Sequence, residues 1–375
     1  MVQFAKINFV ALIALFASFL FIDLTHAAQT TSTYIAPATV KGIYLTANSA
    51  SSPKKMTEVI TLLDATELNA VVIDIKDYSG KVLYDSQLPL VLQFKTKRPV
   101  ITDLPGLVNK LHARNIYVIA RQAVFEDPAL AERKSDWAIH RSGGGVWRNN
   151  AGQAWVDPTR REVWEYNAAI AKEVLVAGVD EINFDYIRFP SDGNLRSAVY
   201  AQLDGRKKYQ VMADFYEFLD LELHPGGAVI SADLFGLTME AATSTDLGVG
   251  QRLVDAVNRF DYISPMMYPS HYAAGHLGFS NPAAHPGEVI AFGLKKAVPL
   301  FAESRARVRP WLQAFNLGAV YDGAKIRAQI AATERYNTSG WLLWNARNYY
   351  TAAGLKPDER LAKKVLPAAL NFKAE

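Results

Sequence analysis

Strand and helix signals alternate eight times along this chain, and that alternation constrains the fold more than any other feature. Short apolar and β-branched runs fall at 41–46, 70–76, 116–121, 181–188, 228–235, 262–268, 309–315 and 340–345. Helical patterns separate them at 53–68, 104–114, 158–177, 206–223, 251–258, 286–304 and 322–336. Pro53 opens the first of these, and Asp157 stands as N-cap to the third. Strands joined through helices pair in parallel, and eight such units predict an α/β chain closed into a single (β/α)8 TIM barrel. Barrels of this kind run past ~250 residues as one unit. The 375 residues therefore predict one barrel domain over residues 40–375, with an extended loop after strand 3.

Side-chain parity supports closure. In the stretch EINFDYIRF, Glu181, Asn183 and Asp185 share one face, while Ile182 and Phe184 share the other. The same split recurs at 70–76 and 229–235, with one face purely apolar and the other turning polar near its C-terminal end. An open sheet covered on both sides would more often be apolar on both faces. Active sites of these barrels lie where the strands end. Asp74 and Lys76 arrive there from strand 2, Arg121 from strand 3, Asp185 and Arg188 from strand 4, and Asp233 from strand 5. Tyr268 follows from strand 6, Gln313 from strand 7, and Trp344 with Asn345 from strand 8. A carboxylate at the end of an apolar strand costs free energy unless it is paired, hydrogen-bonded or functional.

Two carboxyl groups on neighbouring strands suit cleavage of a glycosidic bond. One, ionised, attacks or stabilises the anomeric carbon, and the other protonates the leaving oxygen. Asp185, with Arg188 close in sequence, fits the ionised partner; Asp233, in less charged company, fits the acid. Asp74, Lys76, Arg121 and Arg188 would form a charged shell, with Tyr268, His271, Gln313, Trp344 and Asn345 as sugar contacts. Trp137, Trp147 and Trp155 surround Gly143, Gly144 and Gly145 in the long strand-3 loop. They read either as a sugar-binding lid or as a plug holding the loop to the barrel. Two other readings use the same residues: a non-catalytic carbohydrate-binding barrel, and a metal-assisted hydrolase built on Asp74, Asp185 and His271.

Composition limits the remaining choices. A net charge of +3 without a dense basic run argues against nucleic acid as a partner. There is no cysteine, which removes disulfides, zinc–thiolate sites and cysteine nucleophiles. The His residues show no metal-ligand spacing; His276 and His285 read as solvated loop imidazoles, and neither metal nor cofactor is expected. Lys6, the apolar run 7–22 and the small residues near Ala27 and Ala28 have the order of a secretory signal. Residues 1–28 are thus expected to be a signal peptide and 29–39 a linker, making the protein exported, periplasmic or secreted. An uncleaved anchor is the alternative. No later stretch is long and apolar enough to span a membrane.

The motifs VKGIYLT, NAVVIDIKD, INFDYIRFPSDG, ISADLFG and ISPMMYPSHY resemble a bacterial family of TIM-barrel proteins assigned to glycoside hydrolases and long known as a domain of unknown function. FDYIRFPSDG is the most specific of these motifs. The resemblance spans residues 40–349 and extends distantly to the large α-glycosidase group. It implies a nucleophile at the strand-4 Asp, here Asp185, and an acid/base on strand 5 or 6. Asp233 matches the strand-5 place; strand 6 offers Tyr268 and no carboxylate. The substrate expected is a polysaccharide, in a bacterial setting that of the cell envelope.

Overall fold

The computed structural model describes residues 34–358. Eight strands make the barrel: β1 (Val40–Leu45), β2 (Ala70–Lys76), β3 (Tyr117–Ala123), β4 (Glu181–Asp185), β5 (Ile230–Phe235), β6 (Tyr262–Met267), β7 (Trp311–Gln313) and β8 (Gly340–Trp344). Each pairs in parallel with the next, and β8 pairs back onto β1, so the ring closes. Closure is tight at one point. A Cβ on Gly340, whose φ is +107°, would fall on the carbonyl of Val40, so only glycine lets β8 start against β1.

Among the described residues, each of the first seven strands is followed by one of the helices α1 (Pro53–Ala65), α2 (Leu104–His112), α3 (Arg161–Val176), α4 (Lys208–Leu223), α5 (Leu253–Ala256), α6 (Pro286–Ala302) and α7 (Gly323–Arg335), with short extra helices at Ala47–Ser51, Pro89–Gln93 and Pro128–Arg133. The helix expected directly behind Asp157 begins later, at Arg161. The Asp157 carboxylate instead accepts from the backbone and hydroxyl of Thr159 and from the N–H of Ala201. It ties the β3 and β4 loops together rather than capping α3. Two short strands in the β2–α2 connection, Val82–Tyr84 and Lys97–Ile101, extend the sheet outside the ring.

Burial follows the predicted parity. Ile182, Phe184, Ile230, Ala232, Val71 and Ile73 pack outward into the helix layer. Val40, Tyr44, Ala70, Val72, Tyr117, Ile119, Trp311 and Leu342 fill the barrel interior as a separate apolar cluster. The interior is thus a packed core, crossed on the β4–β5 side by the hydrogen-bonded side chains of Glu181, Ser231, Asn183 and Asp233. The segment taken as the signal, residues 1–28, lies outside the described residues, as does 359–375. Among the described residues, no helix is long and apolar enough to cross a membrane.

Candidate active site

At the C-terminal end of the barrel one guanidinium faces three carboxylates. Arg121, from the last turn of side chains on β3, binds Asp74 Oδ1 on β2 at 2.6 Å and makes a short bond to Asp185 on β4. Its Nε lies 3.9 Å from Asp233 Oδ2 on β5 and has no hydrogen-bond partner. All four side chains are nearly or fully buried. Burial would depress the Arg121 pKa, yet Asp74, Asp185 and Asp233 together hold it above its ordinary value.

Each carboxylate has a distinct setting. Asp74 Oδ2 accepts the Tyr44 hydroxyl at 2.6 Å, and burial raises its pKa despite Arg121. Asp185 Oδ1 accepts the N–H of Tyr186 at 2.6 Å. That N–H is aimed by an unusual backbone: Tyr186 has a φ of +53°, a conformation that costs a non-glycine residue free energy. Asp233 Oδ1 accepts from Asn183 Nδ2 and Trp311 Nε1, both at 2.8 Å. Burial, and then the neighbouring charge of Asp185, push the Asp233 pKa well above the carboxylate range. A single positive charge cannot balance three carboxylates: burial raises the pKa of Asp74, and burial with the charge of Asp185 raises that of Asp233.

A cavity of about 1060 Å3 opens over this cluster. Arg121, Asp185, Arg188 and Asp233 line it, as do Tyr268, His271, Trp344 and Asn345. The Trp344 ring stacks on Tyr44 at 3.9 Å and lies 5.0 Å from the Arg121 guanidinium. His271 lies in a 3-10 turn, Pro269–His271, beside Tyr268 and Phe315, and partial burial lowers its pKa. The side chain of Asn345 is occupied by the carbonyls of Ala314 and Tyr349.

Other expected site residues are placed elsewhere. Asp74 touches Arg121 but not the cavity, so it acts on the site through that guanidinium. A register shift between Asp74 and Lys76 turns Lys76 aside. Its ammonium is fully buried against Asp127 at 2.8 Å and the Ala123 carbonyl. Gln313 is also fully buried, accepting from Ser270 N–H and donating to the Phe315 and Leu317 carbonyls, so it holds loops together. Arg188 is not the cation that touches Asp185. Its guanidinium donates to Phe189 O and Ser191 Oγ, while Phe235, Trp155 and Tyr186 lie within 5.2 Å of it. Trp147 and Trp155 are buried, with Trp147 Nε1 donating to Asn194 O, so the strand-3 loop acts as a plug. Among the described residues, no group of three His, Asp or Glu side chains is arranged to hold a metal ion; the guanidinium of Arg121 stands between the carboxylates.

Sequence reasoning missed Glu126, three residues beyond β3. Burial raises its pKa to about 7, against the opposing pull of Arg188. Its Oε1 accepts from Asn149 at 3.2 Å, and Tyr186 faces it. The run PheGluAspPro around it reads as a loop, and only burial distinguishes this Glu from a solvated one.

A parallel barrel whose rim gathers carboxylates beneath a deep cavity is the architecture of a glycoside hydrolase. The chain belongs to the family described as "Putative glycosyl hydrolase domain", whose model matches residues 42–350. Among solved structures, a hypothetical protein from Ruminiclostridium thermocellum ATCC 27405 is 35% identical, covering 51% of this chain and 96% of that one, with a TM-score of 0.48. The glycoside hydrolase domain of PgaB (BpsB) from Bordetella bronchiseptica is 13% identical, with 83% and 95% covered and a TM-score of 0.61. The α-galactosidase TtGalA from Thermus thermophilus, in complex with stachyose, is 14% identical, with 89% and 67% covered and a TM-score of 0.52. At such identities the last two speak for the fold. No curated protein matches the chain.

Proposed function

We propose that the protein is an exported hydrolase of a polysaccharide, in a bacterial setting that of the cell envelope. The observation that carries this reading is the sharing of Arg121 by Asp185 and Asp233 at the floor of the cavity. Asp185, held by Arg121 and the Tyr186 N–H, is the group that attacks or stabilises the anomeric carbon. Asp233 keeps its proton and delivers it to the leaving oxygen. Water supplies the hydroxyl that ends on the anomeric carbon. Tyr268, His271 and Trp344 offer faces for sugar rings, and Arg188 adds positive charge beside Asp185. Asp74 and Tyr44 fix Arg121, a positioning role. Export rests on the signal-like order of residues 1–28.

The test is reducing-end release from a panel of bacterial envelope polysaccharides, with Asp185→Asn as control. Release that depends on Asp185 supports the reading. Undiminished turnover in the variant contradicts it.

A further inference from the structure

The cavity is walled at one end. Among the described residues, none from the loops that follow β1, β2 or β3 lines it; Arg121, Asp185, Tyr186 and Arg188 form its limit on that side. Behind that limit the chain is packed solid. Phe125, Trp155 and Val156 are buried, and Val156 N–H donates to Phe125 O. Trp155 stands edge-on to Tyr186 at 6.0 Å. Residues His140–Arg141 pair with Ala198–Val199, zipping the β3 loop to the β4 loop. Over β1, the segment after β8 forms a second seal. Thr46 N–H donates to Asn348 Oδ1, while Asn348 Nδ2 and the Tyr350 hydroxyl both donate to Tyr44 O.

The cavity therefore opens over the loops after β5 to β8. There Leu237, His271, Phe315 and Tyr349 line it, and Tyr349 is 70% exposed. Its volume lies at the top of the range for small-molecule pockets, roughly 300–1,000 Å3, so it holds more than a single ring.

Resting on the hydrolase reading, the order of the catalytic groups gives the bound chain a direction. Asp185 on β4 addresses the anomeric carbon, whose ring lies on the non-reducing side of the broken bond. Asp233 on β5 addresses the leaving oxygen, so the departing chain continues towards β6, β7 and β8. The packed plug stands where further rings on the non-reducing side would have to pass. We propose that this protein is an exo-acting glycosidase: it seats the non-reducing end of a glycan against the Tyr186–Arg188 wall and releases a short sugar from that end. In each turnover one glycosidic C–O bond breaks. The hydroxyl of water joins the anomeric carbon, and the leaving oxygen takes a proton by way of Asp233.

The experiment uses a ladder of oligosaccharides prepared from the polysaccharide that the full-length protein cleaves, labelled at the reducing end with a fluorophore. Stepwise shortening of labelled chains, with a mono- or disaccharide as the only small unlabelled product, is the expected result. Scattered labelled fragments from early internal cuts would overturn exo action while leaving the hydrolase intact. Absence of any cleavage that Asp185→Asn abolishes would overturn the hydrolase reading, and this inference with it. A binding arm is independent of turnover. A bulky cap on the non-reducing ring should weaken binding to Asp185→Asn by about tenfold or more; equal binding of capped and free ladders would count against the wall.

Discussion

The inner face of β4 carries two buried acids, Glu181 at its start and Asp185 at its end, and their partners differ in number. Glu181 faces Arg309, which engages both of its oxygens. Ser231 Oγ donates to the same carboxylate at 2.5 Å, and Tyr117 OH at 3.2 Å. Both members of the ion pair are fully buried beneath the barrel core. One anion meets one cation; the Nε of Arg309, like that of Arg121, has no hydrogen-bond partner, so the two sites differ in charge balance. At the other end Arg121 must serve Asp74, Asp185 and Asp233, and its Nε is left without a partner. Balanced charge gives a structural clamp. Surplus negative charge beneath a cavity helps to raise the pKa of Asp233.

Breaking the upper cluster should cost chemistry, and breaking the lower one should cost stability. Asp185→Asn is expected to cut turnover by roughly 10^4-fold, measured as reducing-end release, with a circular-dichroism melting curve close to that of the parent. Asp233→Asn should lose roughly 10^3-fold. The residual rate should no longer fall on the alkaline side, where the parent loses activity as Asp233 gives up its proton. Arg309→Met leaves Glu181 buried and uncompensated, at a cost of about 3–5 kcal/mol in urea unfolding. Turnover per folded molecule should be unchanged.

A smaller effect concerns Glu126. Its pKa rises on folding from 4.5 to about 7, so the folded state binds the proton more tightly. The stability this contributes is full below pH 4.5 and is lost as pH rises towards 7. Unfolding free energy should fall across that window by an amount on the order of 2 kcal/mol for this residue. Glu126→Gln should remove that share of the slope. Glu240, also held at about 7 by burial, should maintain the remainder.

Much of this was legible in the sequence because a closed barrel imposes simple rules. Alternation fixed which face of EINFDYIRF turns inward, and that put Asp185 and Asp233 at one rim beside Arg121. Lys76 obeyed the parity rule on paper, yet the register shift after Asp74 redirected it to Asp127, and a bulge of one residue has no sequence signature here. Arg309 and Glu181 are 128 residues apart, too far for local pattern to pair them. The strands Val82–Tyr84 and Lys97–Ile101 are too short, or too interrupted by Pro99, to show a period. The Trp-rich strand-3 loop carried composition suited equally to a lid or a plug, and only burial decided between them.

The charge imbalance at the rim can be read without any substrate. Infrared difference spectroscopy of the parent against Asp233→Asn at neutral pH reports whether that carboxyl is protonated. The account predicts a carboxylic-acid carbonyl band in the parent that the variant lacks. A carboxylate band in its place, with Asp233 ionised beside Asp185, would contradict it.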